Sequence, residues 1–359
     1  METVHCLTLC LLLIVIHDIV IVTDASRTKD NQKNFITIRM PSVVSKKPDS
    51  LICTGKKLDP EESYIVRFIP HVTKDIAHHM MVYGCNLPAN YKKSWICDEN
   101  EQDPPSDKSV CRSESPKVVF AWALNAPDKT LPQGVGFRVS GDTRINYLVV
   151  QLHYVKAFRR GVKDKSGIIL EMTKTRPQQQ AGYIVLANHG FIPPGRKEYH
   201  VDSLCNYTSN YTIYPIGYRT HSHNLGVVTS GYRIRDNNWL EIGRMSPQRP
   251  QTFYDVSNPG MDIRKGDILA SRCTMNSMSR FTNTYIGPTN HDEMCNFYIM
   301  YSTYHLENLR SSVCTKDTRK YTWLNDFTAE EIPQLSGSLM GIPGASEIEK
   351  HFNNQEIQK

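Results

Sequence analysis

Two histidines one residue apart, His221 and His223, follow Arg219 in the segment IGYRTHSHNLGVV (216–228). On a β-strand, side chains two residues apart share a face, so Arg219, His221 and His223 are expected to line up there. Packing asks for no such row, whereas a metal ion does. In MCNFYIM (294–300), Met294, Asn296, Tyr298 and Met300 share a face by the same alternation, and Met294 offers a third ligand. A thioether is soft and neutral, so a His₂Met set selects Cu(I) over zinc or a hard cation. Most methionines are core filler. A His-x-His strand is rare as core material, and that decides how its methionine neighbour is read.

A second cluster is His78-His79 with His153, which shares a face with Gln151 in YLVVQLHYV (147–155). Adjacent residues on a regular strand point to opposite faces, so His78 and His79 reach one ion only at a strand start or a bulge. The preceding Asp75-Ile-Ala permits that irregularity, and three imidazoles suit copper or zinc alike. Arg219, with Tyr298 and Asn296 beside it, can bind a substrate carboxylate through paired charge-assisted hydrogen bonds. The competing reading satisfies Arg219 internally, with Asp292 or Glu293. That acid pair itself reads as a solvated turn rather than a catalytic dyad. His71, His189, His200, His291, His305 and His351 have no comparable partners and read as ordinary histidines.

The elements that carry these residues are strands. Short β-branched and aromatic runs occur at 34–40, 64–69, 79–85, 118–124, 147–155, 167–172, 181–187, 216–235, 267–275 and 296–305, separated by Gly/Pro turns. No amphipathic helix longer than two turns is visible. The pattern predicts an all-β chain of two consecutive antiparallel, jelly-roll-like β-sandwich domains. The first (26–187) is expected to carry the His₃ cluster, the second (188–332) the His₂Met cluster and substrate site. Residues 333–359 lose apolar periodicity and read as a mobile tail.

The 359 residues are 40% hydrophobic and 22% charged, which excludes a disordered chain and a membrane bundle. The net charge of +6 is spread without a basic block, so no nucleic-acid partner is expected. Residues 6–22 form the one long apolar run, followed by Ala25 and Ser26. Residues 1–25 read as a secretory signal, which would leave a mature chain with no transmembrane segment; an uncleaved signal anchor is the competing reading. Cys6 and Cys10 leave with the signal. The other eight cysteines (Cys53, Cys85, Cys97, Cys111, Cys205, Cys273, Cys295, Cys314) include no CxxC and predict four disulfides of open connectivity. The sequons at Asn206 and Asn210 are glycosylation sites of a chain bound for the secretory lumen or beyond.

Taken in order, HHMMVYGCNLP (78–88), LPQGVGFRVSG (131–141), QLHY (151–154), YRTHSHNLG (218–226), VVTSGYRIR (227–235) and DEMCNFYIMY (292–301) resemble the copper type II, ascorbate-dependent monooxygenases. The resemblance runs from about residue 35 to 330. It implies two sandwich domains, each with one copper at a solvent-filled cleft. His78, His79 and His153 would bind the electron-transfer copper; His221, His223 and Met294 would bind the copper that activates O₂. Arg219, Asn296 and Tyr298 match the residues that hold a substrate carboxylate. The bridges would be Cys53–Cys97, Cys85–Cys111, Cys205–Cys314 and Cys273–Cys295. A fifth bridge found in family members is absent, since 26–52 holds no cysteine and Lys165 stands in its partner's place.

The implied activity is hydroxylation of the α-carbon of a C-terminal glycine in peptides, using two coppers, O₂ and ascorbate as reductant. Its substrates would be glycine-extended peptides. After residue 330 too little chain remains for the lyase that cleaves the product, so a separate lyase is expected. Two alternatives stand beside this one. A catecholamine-type β-hydroxylase of the same family acts on amines that lack the carboxylate. A non-enzymatic extracellular copper-binding sandwich has no use for the Arg/Asn/Tyr set. A zinc hydrolase is disfavoured by the thioether.

Overall fold

The computed structural model describes residues 34–97, 106–112, 115–289, 291–309 and 312–357; the expected signal segment lies outside these. The first half supplies β1 (Asn34–Arg39), β2 (Ser50–Lys57), β3 (Ser63–His71), β4 (His79–Cys85), β5 (Trp95–Ile96), β6 (Lys117–Ala123), β7 (Lys129–Thr130), β8 (Val135–Val139), β9 (Tyr147–Tyr154) and β10 (Gly167–Thr173). The second half supplies β11 (Gln179–His189), β12 (Phe191–Ile192), β13 (Tyr199–Asn206), β14 (Tyr214–His221) and β15 (Gly226–Arg235). It continues with β16 (Asn238–Met245), β17 (Ile268–Met275), β18 (Thr284–Tyr285), β19 (Asn296–Thr303) and β20 (Ser312–Asp317), and ends in a helix, α1 (Ala345–Ile357).

The all-β expectation holds, and most of the predicted runs coincide with strands. In the first half, the sheet β5-β2-β9-β4-β6 faces the strands β1-β10-β3-β8, and their apolar faces meet in one core around Phe68, Phe120, Trp122 and Leu148. In the second half, β13-β17-β15-β16 faces β11-β19-β14. There the core residues alternate strictly. Tyr218, Phe297 and Ile299 enter the second core, and their neighbours Tyr298 and Met300 face the first. Two glycines make room for this: a Cβ on Gly231 would stand 2.1 Å from the Phe297 ring, and one on Gly243 would stand 2.1 Å from the Tyr218 ring. A side chain there would push β14 and β19, and the residues they present, out of place.

The two sandwiches are not separate bodies. β8 and β11 pair in parallel through Gln179–Val135 and Gln180–Gly136, which joins the layers into one nine-stranded sheet. The boundary expected at 187/188 falls inside β11, which pairs along its length with β19 and β20. Residues 33–359 cluster as one unit. The core around Phe120 continues across the junction through Phe253, Tyr183 and Tyr298.

The expected mobile tail is also corrected. Residues Gln334–Gly337 form a 3₁₀ turn and Ala345–Ile357 an α-helix. Leu339, Ile342, Ile348 and Phe352 bury against Val228 of β15, and Arg244 donates hydrogen bonds to the Ser338 and Met340 carbonyls. The Gly/Pro-rich composition masks an apolar stripe only a few residues long. No helix among the described residues is long and apolar enough to cross a membrane.

The four bridges form as the resemblance implies, Cys53–Cys97, Cys85–Cys111, Cys205–Cys314 and Cys273–Cys295, closing loops of 22 to 109 residues. Cys295 sits beside Met294, so its bridge to β17 fixes that segment. Replacing Cys273 and Cys295 together with alanine is expected to lower stability by about 3 kcal/mol through the freed 22-residue loop, read as an earlier denaturant midpoint. An unchanged midpoint would contradict a structural role for this bridge.

Candidate metal centre

β4 begins at His79, so His78 belongs to the preceding turn, where the Ile76 and Ala77 amides both donate to the Thr73 carbonyl. Freed from strand alternation, the two imidazoles come together with their Nδ1 atoms 3.4 Å apart. The sequence required a strand start here, and it is found. His79 stands opposite His153 in the β4–β9 register, and the His78 amide donates to the His153 carbonyl at 2.8 Å. One nitrogen from each ring lies within 4.8 Å of the others. Two imidazole nitrogens about 2.0 Å from one ion lie about 3.4 Å apart, so the donor set fits a metal. Asp49 lies 3.2 Å from His153 Nε2, which leaves Nδ1 as the atom His153 can offer.

The second histidine pair is built differently from the expectation. β14 ends at His221, and His223 lies in the connection to β15, so the shared strand face stops before it. Glu293 takes over. Expected on a solvated turn, it is fully buried. Its Oε1 accepts from the His223 and Met294 amides and its Oε2 from the Leu225 amide at 2.7 Å. One carboxylate thus clamps the His223 turn to the Met294 segment. Burial raises the Glu293 pKa, against the three amides that favour its charged form.

Gln251, unremarked in the sequence, does the same for His221. Its Nε2 donates to the Ser222 and Pro247 carbonyls, so its Oε1 must accept, from His221 Nδ1 at 2.6 Å and Arg219 Nη2 at 3.2 Å. His223 Nδ1 donates to the Asp292 carbonyl at 3.0 Å. Both rings therefore keep Nε2 for a metal, and His223 Nε2 is buried without a partner, as an open ligand position should be. Met294 brings its sulfur to the same cleft, where Asn296 Nδ2 lies 3.7 Å from it.

Arg219 is 1% exposed and meets no carboxylate among the described residues. Its Nε donates to the Gln251 carbonyl, its guanidinium lies 5.0 Å from the Tyr298 ring centroid, and Nη1 has no partner. Asp292 and Glu293, its candidate internal partners, are engaged elsewhere. Arg219, Tyr298, Asn296 and Met294 line one cleft of about 300 Å³ together with His79 and His221.

The resemblance places one histidine set in each sandwich at a solvent-filled cleft, and leaves open how the two sets are arranged. They are in contact: the His78 and His223 ring centroids lie 5.6 Å apart, and those of His79 and His221 6.2 Å apart. The continuous sheet and the shared core around Phe253 draw them together. Burial, then repulsion from the neighbouring cationic forms, pushes the His78 pKa down to about 3. The same causes, Arg219 included, act on His79, also at about 3, and on His221, well below its ordinary value. All three rings are therefore neutral at pH 7, the form that binds metal.

Their ordinary value is 6.5, so the unfolded chain binds protons below that pH that the folded chain refuses. Stability of the metal-free protein is therefore complete above about pH 7 and falls as pH drops, by about 1.4 kcal/mol per pH unit for each ring. Denaturant titrations of metal-free protein at pH 7 and pH 5 check this. Equal stability at the two pH values would rule out buried neutral imidazoles.

Residues 36–160 match the N-terminal domain, and residues 179–327 the C-terminal domain, of the copper type II ascorbate-dependent monooxygenases. The chain is 40% identical over 292 residues to peptidyl-glycine alpha-amidating monooxygenase of Mus musculus, covering 80% of this chain and 29% of that one. It is 40% identical over 304 residues to peptidyl-glycine alpha-amidating monooxygenase A of Xenopus laevis, covering 83% and 31%. Dopamine beta-hydroxylase of Canis lupus familiaris is 27% identical over 256 residues, covering 66% and 40%. The chain thus spans less than a third of the length of these amidating relatives. With both halves matched in order, the chain belongs to the copper type II ascorbate-dependent monooxygenases, whose copper, ascorbate and O₂ are its cofactor, reductant and co-substrate.

Proposed function

We propose that this protein hydroxylates the α-carbon of a C-terminal glycine in peptides, the first step of peptide amidation. His78, His79 and His153 hold one copper in this reading, and His221, His223 and Met294 hold the other. Copper at these sites supplies one-electron redox chemistry between ascorbate and O₂. One oxygen atom enters the glycine C–H bond. The other leaves as water, with two protons and two electrons drawn from ascorbate.

The observation that carries the reading is Arg219, a fully buried cation whose Nη1 lacks a partner beside Met294 and two candidate ligand histidines. A buried guanidinium without a counter-ion is costly, and a peptide carboxylate supplies the missing charge and two acceptors. Tyr298 and Asn296 flank the cleft and orient that carboxylate, which sets the adjacent α-carbon near the Met294 sulfur. An amine substrate of the catecholamine type would leave Arg219 uncompensated, and a copper-storage module has no need of it.

The four disulfides fit an oxidising compartment. We place the protein in the secretory lumen, with the exposed Asn206 and Asn210 as its glycan sites. Cleavage of the hydroxyglycine product is a separate, lyase step.

Met294→Ile removes the soft donor and keeps the bulk. It is expected to abolish ascorbate-dependent O₂ uptake on a glycine-extended peptide while the thermal midpoint stays unchanged, and full activity in this variant would refute the ligand assignment. Arg219→Ala is expected to raise KM for the peptide roughly 30-fold or more, the cost of about 2 kcal/mol for a lost charged contact. A normal KM, or tyramine turned over faster than the peptide, would refute carboxylate recognition.

A further inference from the structure

Beside the metal cleft lies a second recess of about 70 Å³, room for about five waters. Val118, Val185 and Val313 line both, so the two spaces share a wall and adjoin. Phe137, Ile145, Tyr183 and Leu309 give the recess apolar sides at the junction of the two sandwiches. None of these four lines the metal cleft.

Strand register relates the recess to the site. Val185 stands opposite Tyr298, which in turn stands opposite Arg219. Tyr183 is two residues along β11, on the same face, opposite Met300. Two strand residues span about 7 Å, and so do two residues of an extended peptide. The recess also contains an unmet bond: the Tyr183 side chain is 93% buried, given its 7% exposure, and its hydroxyl has no partner. A buried phenol without a partner is rare, because losing its water costs free energy that only a new hydrogen bond returns.

Building on the function proposed above, we infer that this recess is a second substrate subsite. It takes an apolar side chain from the residue two places ahead of the C-terminal glycine, and the Tyr183 hydroxyl donates to a carbonyl of the bound peptide. The carboxylate anchor at Arg219 and the apolar recess at Tyr183 then read the two ends of a short extended segment, and the recess sets which peptide is preferred.

Three substrates test this, with ascorbate and copper-loaded enzyme: acetyl-Gly, acetyl-Ala-Ala-Ala-Gly and acetyl-Ala-Leu-Ala-Gly. The wild type is expected to favour the leucine peptide over the alanine peptide by on the order of tenfold in kcat/KM. Leu309→Trp, which fills the recess from its rim, is expected to erase that preference while leaving acetyl-Gly turnover unchanged. Tyr183→Phe, isosteric but for the hydroxyl, is expected to raise KM for both tetrapeptides roughly fivefold at constant kcat, with acetyl-Gly unaffected. A wild type indifferent to the leucine, or a Leu309→Trp variant that retains the preference, overturns the subsite and leaves the activity standing. A wild type that oxidises none of the three overturns the activity, and the subsite falls with it.

Discussion

A single buried carboxylate, Glu293, ties together the segments that carry the second candidate metal site. Glu293 receives three backbone amides, from His223, Leu225 and Met294, on segments about seventy residues apart in the chain. His223 has already left β14 and Met294 has not yet entered β19, so the strand ladder, which ends at the His221–Asn296 pair, does not itself hold these two residues. The clamp acts together with the His223 Nδ1 hydrogen bond to the Asp292 carbonyl and the Cys273–Cys295 bridge. Oxygen atoms shared among three amide donors hold the two segments to a geometry that side-chain packing alone does not enforce. Gln251 completes the arrangement by setting the His221 tautomer and touching Arg219, so a single amide registers a candidate metal ligand against the proposed carboxylate anchor.

Around that clamp the fold brings together what electrostatics would otherwise separate. Five imidazoles and a guanidinium share one buried volume, with no carboxylate near Arg219 among the described residues. Burial keeps three of these rings, His78, His79 and His221, in the neutral form and so limits the charge gathered there. The cost leaves the site short of two things: a soft cation for the nitrogens and sulfur, and an anion for the guanidinium. In the function proposed above, copper and a peptide carboxylate bring both.

The proximity of the two histidine sets follows from the sheet. Two residue pairs between β8 and β11 make one nine-stranded layer of two sandwiches, and aromatic packing from Phe120 through Phe253 to Tyr183 seals the junction. The metal cleft and its neighbouring recess both open along this junction. The same interface that sets the distance between the candidate copper sites therefore also shapes the cleft and the recess beside it.

Much of this was legible from the chain alone. Residue types and a two-residue period identified the strands that carry His153, Arg219, His221 and Tyr298, and the need for a strand start at His78-His79 was readable from their adjacency. Six motifs in order carried the family resemblance, and the disulfide pairing came with it. What the chain alone left hidden shares one physical cause. Glu293 and Gln251 look like ordinary polar residues, because their roles lie in hydrogen bonds to backbone groups distant in sequence. The contact between the two histidine sets depends on a two-residue parallel pairing that has no local signature. The folded tail rests on four apolar side chains that acquire meaning only against Val228. Local periodicity writes strands into a sequence; long-range hydrogen bonds and the closing of one sheet across two sandwiches are settled only when the chain has folded.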